Sequence, residues 1–130
     1  MTGTRAKILI VDDEPAIADT LALIFSKAGY IATAVYSGKK ALALVASERP
    51  ALVITDVVMP GMDGIELAKT IRSSHPGCHI LLISGNAGNY PLLEVAREAG
   101  HSFEILPKPI HPRILIAKVA SLLSETPSST

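Results

Sequence analysis

Apolar residues along the chain fall into two alternating patterns. Short, nearly unbroken apolar runs occur at Lys7–Val11 (KILIV), Tyr30–Val35, Leu52–Thr55, His79–Ile83 (HILLI) and Phe103–Leu106. The first, third and fourth show no polar alternation, as expected of parallel strands buried on both faces. Between and after these runs the apolar residues recur three and four apart, the period of a helix with one buried stripe. A first helix is expected from about Pro15 to Ala28, with Ile17, Leu21, Ile24 and Ala28 inward. Asp13 or Glu14 supplies early negative charge, Pro15 suits the first turn and Gly29 follows the end. A second runs from about Gly38 to Ser47 with Ala41, Leu42 and Val45 inward, and a third follows Gly64 with Ile65, Ala68 and Ile71 inward. A fourth is expected from about Pro91 to Ala99, stopped by Gly100, and a fifth from near Pro112 to near Leu123, with Leu115, Val119 and Leu122 toward a sheet.

Five strand–helix units in strict alternation predict an α/β fold with a parallel sheet between two helix layers. Right-handed crossovers leave few topologies, and a common one for this count is the flavodoxin-like (βα)5 sandwich with strand order 2-1-3-4-5. The expected domain is 7–123, after a short extension (1–6) and before a polar tail (124–130).

At 130 residues the chain has room for one domain with a real core. Hydrophobic residues make up 48%, which excludes a disordered chain. Lys plus Arg and Asp plus Glu are each 12, so no excess charge favours nucleic acid or an anionic membrane as a partner. Cys78 is the single cysteine, which rules out an internal disulfide, suits a reducing compartment and reads as a small buried hydrophobe. No run is long enough to span a bilayer and no signal peptide is evident, so the expected location is the cytoplasm.

In an open parallel sheet, ligands bind outside the carboxyl ends of the strands. Here the first run ends in Asp12-Asp13, the third in Asp56, the fourth in Ser84-Gly85-Asn86 and the fifth in Lys108-Pro109. In the expected order these four strands are neighbours, so three carboxylates, a hydroxyl and an ammonium converge. Singly, each has a blander reading: Asp12-Asp13 as a helix cap, Ser84 as a turn hydroxyl, Lys108 as a solvated side chain. Together they are complementary. Clustered carboxylates repel unless a cation joins them, and oxygen donors without His or Cys favour Mg²⁺. A carboxylate beside that ion can attack a phosphoryl group. The phosphoryl oxygens then need the metal, an ammonium and a hydroxyl or N–H, chemistry that Lys108 and Ser84 offer.

VDDE at 11–14, DVVMPGMDG at 56–64, ISG at 83–85 and LPKP at 106–109 resemble the receiver domain of two-component response regulators, over about Lys7 to Leu123. The resemblance implies Asp56 as phosphoacceptor, Asp13 as a direct Mg²⁺ ligand, Asp12 as a ligand through water, and the Val58 backbone carbonyl as a further ligand. It implies that Ser84 contacts the phosphoryl group and reports its arrival, that Lys108 pairs with that group, and that the Lys108–Pro109 bond is cis. It also implies a histidine kinase or phosphotransfer protein as donor. The downstream target would dock on the surface of the fourth helix, fifth strand and fifth helix. A homodimer through the apolar fifth helix is a further expectation, and so is a stand-alone regulator that assists its own phosphorylation without being a metabolic enzyme.

The chain departs from the family at the switch. Receivers carry Tyr or Phe three residues before the strand-5 lysine, where this chain has Ile105. Either Phe103 substitutes, sharing a face with Ile105 or re-aimed by a bulge, or the aromatic step is absent. Val58 and Asn86, two residues past Asp56 and Ser84, stand where the family tunes hydrolysis, and Val58 cannot orient a water. Two alternatives compete with the receiver reading. One is an interaction module on the same fold that works without phosphorylation. The other is an Asp-nucleophile phosphatase, which would need a cap that the chain lacks.

Overall fold

The computed structural model describes residues 5–85 and 103–124. Five parallel strands form one sheet: β1 (Lys7–Val11), β2 (Ile31–Val35), β3 (Leu52–Asp56), β4 (His79–Ser84) and β5 (Glu104–Pro107). Their order is β2-β1-β3-β4-β5, as the alternation predicts. Helices α1 (Pro15–Lys27), α2 (Gly38–Glu48) and α3 (Gly64–Ser74) follow the first three strands, and a C-terminal helix spans Pro112–Ser124. The fourth predicted helix, Pro91–Ala99, lies outside the described residues, and with it Asn86 and part of the expected docking surface.

Side chains alternate across each strand, so the three central strands feed two cores. Leu9, Val11, Val53 and Leu82 meet Ala41 and Val45 of α2 and Leu67, Ala68 and Ile71 of α3 on one face. Ile8, Ile10, Ile54 and Leu81 meet Ala18 and Phe25 of α1 and Leu115, Val119 and Leu122 of the C-terminal helix on the other. Each fully buried Leu or Ile contributes about 1.5–3 kcal/mol relative to exposure, which is why these strands read as unbroken apolar runs.

The inner stripe of α1 differs from the expected one. Ala18 and Phe25 are fully buried, with Leu21 and Ala22 packed beside them. Ile17 and Ile24 are only half-buried and Ala28 is exposed. Both stripes have helical spacing. Burying the Phe25 ring, which meets Tyr30 edge-on with centroids 5.8 Å apart, selects the second. In the C-terminal helix Ile116 also packs against the α1-side core, while Ile114 is 58% exposed.

Helix α3 starts from a capping box. The Glu66 N–H donates to Asp63 Oδ1 at 2.8 Å, and the Asp63 N–H donates to Glu66 Oε1 at 3.4 Å. Asp63→Ala is expected to cost about 1 kcal/mol, read as a lower urea midpoint at unchanged slope. Cys78 is buried against the α2–α3 core, and burial pushes its thiol up to about 11. Among the described residues no helix is long and apolar enough to cross a membrane.

Candidate functional site

The carboxyl ends of β1, β3 and β4 carry Asp12-Asp13, Asp56 and Ser84, and Lys108 follows directly after β5. The sheet register aligns them. Val11 lies opposite Thr55, Asp56 opposite Ile83, and Ser84 opposite Pro107. Backbone bonds continue the ladder beyond the strands. The Asp12 N–H donates to the Val35 carbonyl at 3.2 Å, the Val57 N–H to Ile83 at 3.0 Å, and the Lys108 N–H to Ser84 at 2.8 Å. These bonds carry the pairing of β1 with β2, and of β3 through β4 to β5, on to the residues of the site.

Carboxylate oxygens of Asp12, Asp13 and Asp56 all lie within 4.8 Å of one another, and among the described residues no other such group of His, Cys, Asp or Glu occurs. The Lys108 ammonium reaches into this cluster, 3.3 Å from Asp56 Oδ2 and 3.5 Å from Asp12 Oδ2. Asp12 is 3% exposed and serves two purposes. Its Oδ1 accepts the Glu14 N–H at 2.9 Å, shaping the turn into α1, while Oδ2 faces Lys108. The reading of Asp12-Asp13 as the helix cap is thus corrected: Asp12 holds the turn before the helix and is also a site carboxylate. Residue Glu14 is the N-cap of α1 but makes no side-chain cap bond.

Burial raises the Asp56 carboxyl above the usual range. Attraction to Lys108 opposes this and repulsion from Asp12 adds to it. Lys108 moves the other way in charge terms: burial lowers its pKa, but Asp56 and Asp12 together raise it on balance, so the ammonium stays charged. Three carboxylates against one ammonium leave the cluster short of positive charge.

A divalent cation fits that deficit. Opposite oxygens of one Mg²⁺ stand about 4 Å apart at its 2.0–2.1 Å bonds. Each of the three aspartates offers an oxygen within 4.8 Å of the other two. Three oxygen donors this close together, with no His or Cys among them, match the hard-ligand preference of Mg²⁺.

The turn after Asp56 explains its glycines. Gly61 has φ of 74°, a conformation that suits glycine, and begins the reversal into α3. Gly64 presses against β3: a Cβ there would lie 2.1 Å from the Asp56 carbonyl oxygen, and its N–H donates to the Val57 carbonyl at 2.8 Å. Val58 stands in this turn with its side chain 59% exposed beside the site.

Ser84 is fully buried at the end of β4. The Lys108–Pro109 bond is cis. The β4–β5 ladder is regular from Leu81–Glu104 to Ser84–Pro107, so the strand contains no bulge. Phe103 and Ile105 accordingly pack against the same α2–α3 core. The Arg72 guanidinium of α3 sits 4.4 Å from the centre of the Phe103 ring. Sequence reasoning missed this contact and the close approach of Gly64; only the GxxG spacing of the turn hinted at the latter.

A model of the response regulator receiver domain matches residues 8–120. The chain is 35% identical over 120 residues to the response regulator MprA of Mycolicibacterium vanbaalenii, an alignment covering 92% of this chain and 51% of MprA. It is 30% identical to the DNA-binding response regulator MtrA of Mycolicibacterium smegmatis, covering 95% of this chain and 53% of MtrA. The chain thus spans about half the length of these curated relatives. Among solved structures, chemotaxis protein CheY4 of Vibrio cholerae matches at a TM-score of 0.80 and 29% identity, over 92% of this chain and 99% of that one. A CheY-like receiver from Methanospirillum hungatei matches at 0.84 and 28%, over 92% and 94%. The fold and the acidic strand ends define a receiver of two-component signalling. The chain belongs to the response regulator receiver domain family.

Proposed function

We propose that this receiver takes a phosphoryl group onto Asp56 from a histidine kinase or phosphotransfer protein. The observation that carries the reading is the triple contact at one sheet edge: Asp56 within 4.8 Å of two further carboxylates and 3.3 Å from the Lys108 ammonium. Asp12, Asp13, Asp56 and the Val58 carbonyl would hold Mg²⁺. When bound, that ion neutralises charge on the phosphoryl oxygens. An Asp56 carboxylate oxygen attacks phosphorus in line, a P–O bond forms, and the P–N bond to the donor imidazole breaks. Lys108 is placed to leave its ion pair with Asp56 for a phosphoryl oxygen, and the Ser84 hydroxyl would approach another. Phe103, held under Arg72, and Ile105 would report that movement toward β5. The target would read the surface that β5 and the C-terminal helix share with the fourth predicted helix.

The chain's own charge balance gives no reason to assign nucleic-acid contact to these residues. The DNA-binding regulator it resembles is about twice as long. The convergence of the aspartates and Lys108 favours a phosphoacceptor over an unphosphorylated interaction module, and the aliphatic Ile105 at the switch position is the weaker argument on the other side.

The test is intact-protein mass after incubation with phosphoramidate and Mg²⁺. A single phosphoryl adduct that disappears with EDTA is expected. An unmodified protein with phosphoramidate and with a panel of purified histidine kinases would sink the proposal. A second expectation concerns lifetime. Val58 offers no hydrogen bond to a water attacking the acyl phosphate. Val58→Asn should shorten the phosphoryl half-life severalfold, up to about tenfold, the equivalent of one added hydrogen bond. An unchanged half-life would remove Val58 from this role.

A further inference from the structure

We propose that this domain has a second binding site, for a small amphiphile with a protonated amine head and an apolar body of about two rings. On the α1 side of the sheet a half-open cavity of ≈ 400 Å³ runs from the phosphoacceptor cluster between α1 and the start of the C-terminal helix. Ile54 and Ile83 of the sheet form its floor, Ile17 and Leu21 of α1 one wall, and Ile110 and Leu115 the other. At one end it reaches Asp12, Asp56 and Lys108.

Three observations choose the occupant. The first is size. A 150 Å³ apolar cavity accepts benzene, so ≈ 400 Å³ admits a body of about two fused rings with a short tail. The range also falls within that of small-molecule pockets. The second is polarity. The walls are aliphatic, so an occupant with hydrogen-bonding groups along its body would lose them unpaired. The third is charge. The polar end carries two carboxylates against one ammonium, with Asp13 a third carboxylate beside them. A cationic head complements that deficit. An anionic head meets net repulsion, and a neutral one gains nothing from it.

The same end is where Mg²⁺ would bind under the proposed function, so amine and metal exclude each other by charge and place. Binding of such an amine would hold the domain in its unphosphorylated form. The inference rests on the phosphoacceptor reading only for this antagonism; the cavity and its charge stand without it.

The test uses 2-naphthylmethylamine, 2-naphthylmethanol and 2-naphthoate as probes of one body with three heads. Methyl NMR on the unaltered protein is expected to show the amine shifting the Ile54, Ile83 and Leu115 methyls, with the alcohol at least about tenfold weaker and the naphthoate absent. Saturating Mg²⁺ should weaken the amine by about tenfold or more. Leu21→Trp, which fills the cavity, should remove the methyl shifts while circular dichroism shows the domain still folded. Methyl shifts elsewhere, or none up to millimolar amine, would overturn the site. Equal binding of the three heads would overturn the ligand class. A separate Mg²⁺ titration without amine distinguishes the two readings: failure to bind metal counts against the phosphoacceptor proposal, whereas the head-group series judges the cavity.

Discussion

Asp56→Asn is expected to accept no phosphoryl group and yet to melt at a higher temperature than the unaltered protein at pH 7 without metal. The first half follows from chemistry, because an amide oxygen is a poor nucleophile and Asp56 is the proposed phosphoacceptor. The second follows from electrostatics. Burial, reinforced by Asp12 and opposed by Lys108, raises the folded-state pKa of Asp56 above its unfolded value. In the pH window between those two values the folded state binds more protons than the unfolded chain. Stability therefore falls as pH rises through that window, and above it the ionised carboxylate is a standing cost. Asparagine keeps the shape and removes the charge. Lys108 loses one partner but keeps Asp12 at 3.5 Å. The gain in melting temperature should shrink as pH falls through that window and be gone below about 4, the ordinary Asp value, where the carboxyl is neutral in both folded and unfolded states. It should also narrow in saturating Mg²⁺, which would stabilise the aspartate form selectively. Thermal melts from pH 3 to pH 8, with and without Mg²⁺, check this. A variant that melts lower at pH 7, or still takes up phosphate from phosphoramidate, would contradict the assignment.

Gly64→Ala is expected to damage fold and site together. The new methyl would stand 2.1 Å from the Asp56 carbonyl oxygen and 2.9 Å from both the Asp56 carbonyl carbon and the Val57 Cα. These neighbours are backbone atoms, so no side chain can swing away. Either the start of α3 or the end of β3 must move, against the Gly64–Val57 bond and the Val57–Ile83 bond. The cost should reach the overpacking range, on the order of 2–3 kcal/mol, a large share of the about 5–15 kcal/mol that holds a typical domain together. Because Asp56 is the residue displaced, Mg²⁺ affinity and the phosphorylation rate should fall further than stability alone explains. A misplacement of about 1 Å can cost roughly a hundredfold in rate. Gly77→Ala, with no atom within 4 Å of its Cβ, is the control and should change little. Equal behaviour of the two variants in urea melts and Mg²⁺ titrations would show that the close approach has no consequence.

Both predictions bear on how far the site was legible beforehand. The convergence of Asp12, Asp13, Asp56, Ser84 and Lys108 could be anticipated, because each ends an apolar run and a parallel sheet brings strand ends to one edge. The geometry among them could not. Whether Lys108 pairs with Asp56 alone or is shared with Asp12 depends on a few tenths of an ångström between segments far apart in sequence. Phe103 was legible as a residue on the face of Ile105, since a regular strand alternates sides. That Arg72 covers its ring was not, because α3 and β5 meet only across the finished core.

The sequence by itself determined the five strands, their order, the two buried faces of the sheet and the chemical types at its working edge. These follow from periodicity and from the handedness of crossovers, which are local or nearly local rules. Tertiary structure alone decided which of two overlapping stripes α1 buries, since Ile17-Leu21-Ile24 and Ala18-Leu21-Phe25 share Leu21 and satisfy the same helical period, and only the fit of Phe25 to the sheet separates them. It also decided that Gly64 must touch the Asp56 carbonyl, and that α1 and the C-terminal helix stand far enough apart to leave a cavity beside the phosphoacceptor. Periodicity records which positions are apolar. It carries no information about the distance between two elements, and that distance is set by the summed volumes of the side chains between them.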